Sequence, residues 1–489
     1  MNSDACTAEP LSSVSAETTR RPPWLGLSIL LLAGFVTIFD LFVVNVAIPS
    51  MQAELGASLS QIGFIVAGYE LAFGVLLVTG GRLGDLYGRR RLFMVGMAGF
   101  TLASFLCGIA PTVEVLIGAR VAQGLAAALL FPQVYASIRV NFSGDDSRRA
   151  FGFFGMTLGL AAIAGQIVGG FLVEANILDL GWRTIFLINV PIGAIAMLMA
   201  RFIPETISPD RPALDWPGVA LVSLGLTLLL VPLIEAPSYG WSLWSFPALA
   251  AAAILLVAFY RHQECRRKAG HQPLVDMALM RQPRFAQGGL LVLLIYSTAS
   301  SFFLCFALLV QTGFGLSPFE AGSVFVPCSI AFVILSLSAP RLVARFGTPA
   351  IAAGALVYAV SFGVLIGQVW ITGADLVVAH LIPALIVIGG AQAMIMTPLL
   401  NLVLGFVEEQ QAGMASGVIS TLQQVGAALG VAAVGILFGI GLETGSDGQA
   451  ALYASAFVSA MSYNVAAAII AAVLLLRLAV HGRQTNLAS

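Results

Sequence analysis

Six ionisable side chains interrupt the long apolar stretches of this chain. Asp40, Glu70 and Arg120 lie well inside such stretches, and Glu114, Glu235 and His380 lie nearer their ends. A charge in an apolar medium is costly, so it finds a partner or gives up its charge. A carboxyl group in that position is by chemistry a proton-binding site: burial favours the neutral acid and a nearby cation favours the anion. Asp40 and Arg120 have the composition of such a balance, because a guanidinium keeps its charge and must face an acid or carbonyls. Arg120 shares a helix face with Gln123, Gly124 and Ala127 by three- and four-residue spacing. Glu70 has no loop within reach, so it either titrates or remains protonated as a donor between helices. The same groups would also serve as a static ion pair pinning helices together. His262, Glu264 and Cys265 lie close together in a basic stretch, where a solvated loop is the expected reading and a metal site the alternative.

A membrane helix bundle must position these groups. Of 489 residues 59% are hydrophobic and 10% charged, and the mean hydropathy is +0.95; soluble domains carry about 25% charged residues. The net charge of −1 gives no reason to expect nucleic acid. Fourteen apolar stretches follow one another, at about 25–48, 60–80, 92–110, 113–138, 150–174, 184–203, 215–235, 244–260, 286–312, 318–339, 349–370, 377–404, 412–440 and 455–476. Each reaches roughly the length that crosses a bilayer. Lys and Arg gather in the tails and in the connections after spans 2, 4, 6, 8 and 10; only Arg120 and Arg183 fall elsewhere. That alternation predicts both termini on the cytoplasmic side of the inner membrane. The first apolar run shows no small-residue cleavage site and is expected to be retained. Five scattered cysteines without a CxxC pair are expected to be free thiols.

Between spans 2 and 3 lies a polar island, Gly81-Arg82-Leu83-Gly84-Asp85-Leu86-Tyr87-Gly88-Arg89-Arg90-Arg91. It is expected to form a hairpin loop. Part of its pattern returns after span 10: Arg82-Leu83, then Tyr87-Gly88, is matched by Arg341-Leu342, then Phe346-Gly347, with Ala344 where Asp85 stands. The repeat predicts two pseudo-symmetric six-helix halves and an inserted pair, a 6+2+6 all-α membrane protein. The expected divisions are a disordered tail (1–23), an N-terminal half (24–203), the inserted spans 7 and 8 with a basic loop (204–284), a C-terminal half (285–476) and a tail (477–489). Leu274 to Met280 is expected to form a surface helix.

These residues resemble the major facilitator superfamily, specifically its fourteen-span drug:proton antiporters. Gly81–Arg91 resembles the family's loop signature. Phe39-Asp40-Leu41-Phe42-Val43-Val44-Asn45-Val46-Ala47-Ile48-Pro49 is similar to its first-helix signature, and Arg120-Val121-Ala122-Gln123-Gly124 to its fourth. Gly165-Gln166-Ile167-Val168-Gly169-Gly170 resembles the fifth-helix antiporter signature, with Gln166 where that signature has proline. Trp182 to Gly193 is similar to the sixth-span signature. The resemblance implies a non-enzymatic, proton-coupled exporter of amphipathic or cationic small molecules, driven by the proton gradient without a cofactor and working as a monomer in lipid. It further implies that Asp40 and Arg120 couple protons and that Gly81, Asp85, Gly88, Arg89 and Arg90 form a cytoplasmic gate; Glu70 joins the proton-coupling candidates by its own mid-span position. Asn45, Tyr69, Gln123, Phe131, Gln311, Gln392 and Asn401 are candidates for a substrate cavity between the halves. The alternatives are a proton symporter on the same fold and an exporter of a metabolite the cell makes itself.

Overall fold

The computed structural model describes residues 24–207, 214–407, 412–444 and 448–487. The expected disordered tail (1–23), Arg211 and the end of the C-terminal tail lie outside them. Among the described residues every regular element is helical, and fourteen helices are long and apolar enough to cross a membrane. In chain order they are span 1 (Trp24–Leu55), 2 (Leu59–Tyr87), 3 (Arg89–Gly108), 4 (Val113–Asn141), 5 (Gly144–Glu174), 6 (Gly181–Phe202), 7 (Trp216–Tyr239) and 8 (Ser245–Lys268). Then come 9 (Pro283–Gly313), 10 (Pro318–Phe346), 11 (Thr348–Asp375), 12 (Val378–Leu404), 13 (Met414–Glu443) and 14 (Gln449–Ala479).

Local chemistry sets where they start. Ser58 and Gln61 close a capping box at span 2, Ser317 and Glu320 another at span 10, and Thr112 caps span 4. Each supplies an acceptor to N–H groups that the helix itself leaves open. Several helices run a turn or two beyond the apolar stretch, because a helix satisfies its own backbone and continues past the hydrocarbon.

The polar island corrects the expected loop. Span 2 stays helical to Tyr87 and span 3 begins at Arg89, so Gly88 alone breaks the helix, with φ 105°. A Cβ there would also meet Glu205 Oε1 at 2.6 Å. The second copy is built alike: span 10 ends at Phe346, Gly347 has φ 69°, and span 11 starts at Thr348.

Spans 1–6 and 9–14 pack in matching order. Span 2 packs on 4, 3 on 4, 1 on 5 and 3 on 6; in the second set 10 packs on 12, 11 on 12, 9 on 13 and 11 on 14. Small residues bring backbones together where spans cross. A Cβ on Gly80 would lie 2.0 Å from the Ala128 carbonyl of span 4, and one on Gly430 2.0 Å from the Ser297 carbonyl of span 9. Span 7 packs against span 2 of one half and span 13 of the other.

The basic stretch that follows the expected eighth span departs from expectation. Span 8 stays helical through Lys268, and His262 and Gln263 both bond Asp215, which caps span 7. Gln263 is fully buried, so this is a packed cluster and not a solvated loop. The surface helix shrinks to Met277–Arg281, capped by Asp276. Its expected first turn is taken apart by Gln263, whose Oε1 accepts from the Leu274 and Val275 N–H groups. Leu274, Met277 and Leu279 are buried against the bundle.

Candidate functional site

Asp40 sits midway along span 1, on the face turned into the first half, and is completely buried. Spans 3, 4 and 6 bring polar groups to it. Its Oδ2 accepts from Arg120 Nη1 at 2.5 Å, and its Oδ1 accepts from Gln123 Nε2 at 2.8 Å and Asn189 Nδ2 at 3.0 Å. Gln123 also donates to Ser104 Oγ at 2.8 Å and accepts from Arg120 at 2.7 Å. Arg120 donates its Nε–H to the Ile65 carbonyl of span 2 at 3.1 Å, and its guanidinium lies 4.2 Å from the centre of the Tyr69 ring. A buried carboxylate is tolerable only with a counter-charge and filled lone pairs, and this one has both. The arrangement ties five spans together around one buried ion pair.

Gln123 and Tyr69, considered for a substrate cavity, belong to this enclosed cluster. Phe131 is packed between Phe73 and Phe154. Asn45 donates to the carbonyl of Leu41 on its own helix. Gln392 is buried in span 12 and Asn401 is exposed. Gln311 occupies a π-helical turn that ends span 9 and donates to the Val46 carbonyl at 2.9 Å, joining the halves.

Glu70 reaches the seam between the halves. Its Oε1 accepts from Ser300 Oγ of span 9 at 2.6 Å, while Oε2 is buried without a partner. One turn on, the Gly74 carbonyl accepts from Thr421 of span 13 at 3.0 Å. The fifth-helix signature also lies on the seam. Gly165 and Gly169 press on Phe42 and Val43 of span 1, and Gly170 on Pro318 and Phe319 of span 10. Gln166 is buried with both amide atoms unpartnered. Glu174 accepts from the Phe319 N–H at 3.3 Å. These contacts seal the halves at the face opposite the arginine-rich ends.

At the basic ends, Asp85 bonds Arg89 of its own motif at 2.7 Å. Glu205, just past span 6, accepts from the Arg90 N–H at 3.1 Å. Arg82 donates to the Pro273 carbonyl at 2.5 Å. Gly81 faces Pro132 of span 4.

Residues 30–431 match the family model of the Major Facilitator Superfamily. The chain belongs to that superfamily. Over 448 residues it is 39% identical to a probable actinorhodin transporter of Streptomyces coelicolor, covering 89% of this chain and 78% of that one. It is 34% identical to the puromycin resistance protein pur8 of Streptomyces alboniger, covering 91% and 86%. A mutant of the nucleoside transporter NupG superposes with a TM-score of 0.64 at 14% identity, covering 92% of this chain and 99% of that one, a likeness of fold. This major facilitator protein is a multi-pass membrane transporter of the drug-efflux type.

Ser104, Asn189, Ser300 and Glu205 complete the site and were not singled out in the sequence. Asn189 stood within the Trp182–Gly193 signature, and Ser300 within Ser297-Thr298-Ala299-Ser300-Ser301, a hydroxyl run inside an apolar span. Ser104 and Glu205 carried no comparable signal.

Proposed function

We propose that this transporter exports amphipathic small molecules, antibiotics among them, in exchange for protons entering from outside. The observation that carries this reading is the enclosed Asp40–Arg120 pair at mid-span, a carboxylate whose donors hold several helices in one arrangement. Protonating Asp40 removes the attraction to Arg120 and frees spans 3, 4 and 6 to shift against span 1. With the arginine-rich ends in the cytoplasm of the cell that makes it, the seal between spans 5 and 10 lies outside. The arrangement is then inward-facing, and the Asp85–Arg89 pair is the released form of a cytoplasmic gate. Both halves lie on one chain, so a monomer suffices.

The test uses purified protein in proteoliposomes with ethidium or puromycin as cargo. An imposed proton gradient drives uptake into inside-out vesicles, and cargo added without a gradient releases protons. In Asp40→Asn both responses vanish. Full gradient-dependent transport by Asp40→Asn overturns the reading.

A further inference from the structure

We propose that Glu70 and Ser300 form a second proton site, one assembled across the seam only while the halves face inward. This rests on the proton-driven reading above and goes beyond it in naming the group that makes proton affinity depend on conformation.

Glu70 belongs to span 2 of the first half and Ser300 to span 9 of the second, and their 2.6 Å hydrogen bond spans the boundary. Glu70 is 2% exposed, whereas Ser300 is half-buried. The second carboxylate oxygen is enclosed and has no partner. Among the described residues no cation pairs directly with Glu70, though the charge of Arg120 acts on it. Span 4 offers Arg120 and span 1 offers Asp40, which are bonded to each other. The ring of Tyr69 lies against Arg120. Cys107 of span 3 is directed at Gln123, and Tyr296 of span 9 pairs with Gln423 of span 13. Span 7 supplies Glu235, whose backbone lies beside Ser60, about 15 Å further along span 2 at 1.5 Å per residue.

A hydrogen bond from Ser300 favours the carboxylate over the acid. It exists only in the arrangement in which spans 2 and 9 meet at this depth. When the halves reorient, Ser300 is withdrawn, the carboxylate loses its one donor and the neutral acid is favoured. A proton therefore binds Glu70 Oε2 from the outside water and leaves to the cytoplasm when Ser300 returns. That is the order exchange for an outward-bound cargo requires, and it ties the proton to the state by a differential interaction. Ser300 is a positioning residue in this scheme.

The experiment is an infrared titration of the purified protein. The carboxyl band belonging to Glu70 is the one absent from Glu70→Gln. In Ser300→Ala it should persist about one pH unit higher than in wild type, the size of one hydrogen bond to a charged group. Ser300→Thr keeps the hydroxyl and should titrate as wild type. Ethidium export should follow: in Ser300→Ala its profile against internal pH moves up by about the same amount, and in the Glu70→Gln background Ser300→Ala adds nothing. An identical Glu70 titration in wild type and Ser300→Ala, or no titration of that band, overturns the proposal. Because the band is read without transport, that result is separate from any failure of proton-driven export.

Discussion

The two halves are built on one plan, yet their buried polar clusters differ in kind. In the first, Asp40, Arg120, Gln123, Ser104 and Asn189 form a network with a full ion pair at its centre. In the second, Asn464 of span 14 donates to the Thr298 carbonyl and accepts from Ser301 Oγ on span 9, and Tyr358 of span 11 meets Thr298. Asn189 and Asn464 thus play the same part, the last span of each half reaching back to the first. Only one copy has acquired charge. The packing plan and the hydrogen bond from the last span to the first recur in both halves, while the buried ion pair lies in the first.

Mutations at the two clusters should separate these roles. The largest effect is expected at the ion pair. Arg120→Leu leaves Asp40 buried without its counter-charge, and such a loss costs about 3–5 kcal/mol. Export should disappear and the thermal unfolding midpoint should fall sharply. Asp40→Asn combined with Arg120→Gln should regain much of that midpoint while staying inactive, because nothing at the site can exchange a proton. Regained proton-driven export in the double variant would remove the charge from the mechanism.

In the second half, Asn464→Ala breaks neutral hydrogen bonds and should cost about 1–3 kcal/mol. Export should continue with an unchanged pH profile, and a shifted profile would break the distinction between the halves. The repeated helix breaks offer a finer comparison. Gly88→Ala meets both an unfavourable φ and Glu205, whereas Gly347→Ala meets the φ penalty of about 1–2 kcal/mol and otherwise an ordinary 3.6 Å contact to Pro349. Folded yield should therefore drop further for Gly88→Ala; equal losses would mean that Glu205 moves aside freely.

The smallest effect concerns the inserted pair. Burial raises the Asp215 carboxyl, but hydrogen bonds from His262, Gln263 and the Gly218 N–H outweigh it and hold the group below the usual carboxylate range. A lowered folded value means that the stabilisation is present above the ordinary aspartate range and is lost as pH falls through the folded value. His262→Ala should remove about 1 kcal/mol at neutral pH. Stability measured toward acid should converge with wild type as Asp215 protonates.

Much of this was legible in the sequence. Hydropathy and arginine placement resolve fourteen spans because each must be apolar over a bilayer's thickness. The repeat was visible because Gly88 and Gly347 do the same backbone work. Asp40, Arg120 and Glu70 stood out because charge is rare at that depth. Their partners were hidden for a physical reason: Ser104 and Asn189 are ordinary residues in a membrane helix, and only the crossing of spans 3, 6 and 1 gives them a role. Gln123 and Tyr69 read as cavity residues because one-dimensional periodicity shows that a face is buried, not which neighbour buries it. The basic stretch 261–284 misled because its charges look solvated, while Asp215, distant in sequence, organises them.

Span 7 touches both halves, but not in the same way. Toward span 2 it offers directional bonds: Ser238 Oγ accepts from the Ser60 N–H at 3.1 Å, and Ser60 Oγ donates to the Glu235 carbonyl at 3.2 Å. Toward span 13 it offers the ring of Pro237 against Gly435 and Gly439, where a Cβ would lie 3.6 Å and 3.3 Å away. Bonds of the first kind resist sliding, while a smooth apolar contact permits it. If the halves rock, the inserted pair travels with the first as cargo on a carriage, and the glycine face of span 13 is its bearing. The moving bodies are then eight helices and six, and bulky side chains at 435 and 439 would act as friction, slowing turnover while leaving both binding chemistry and fold in place.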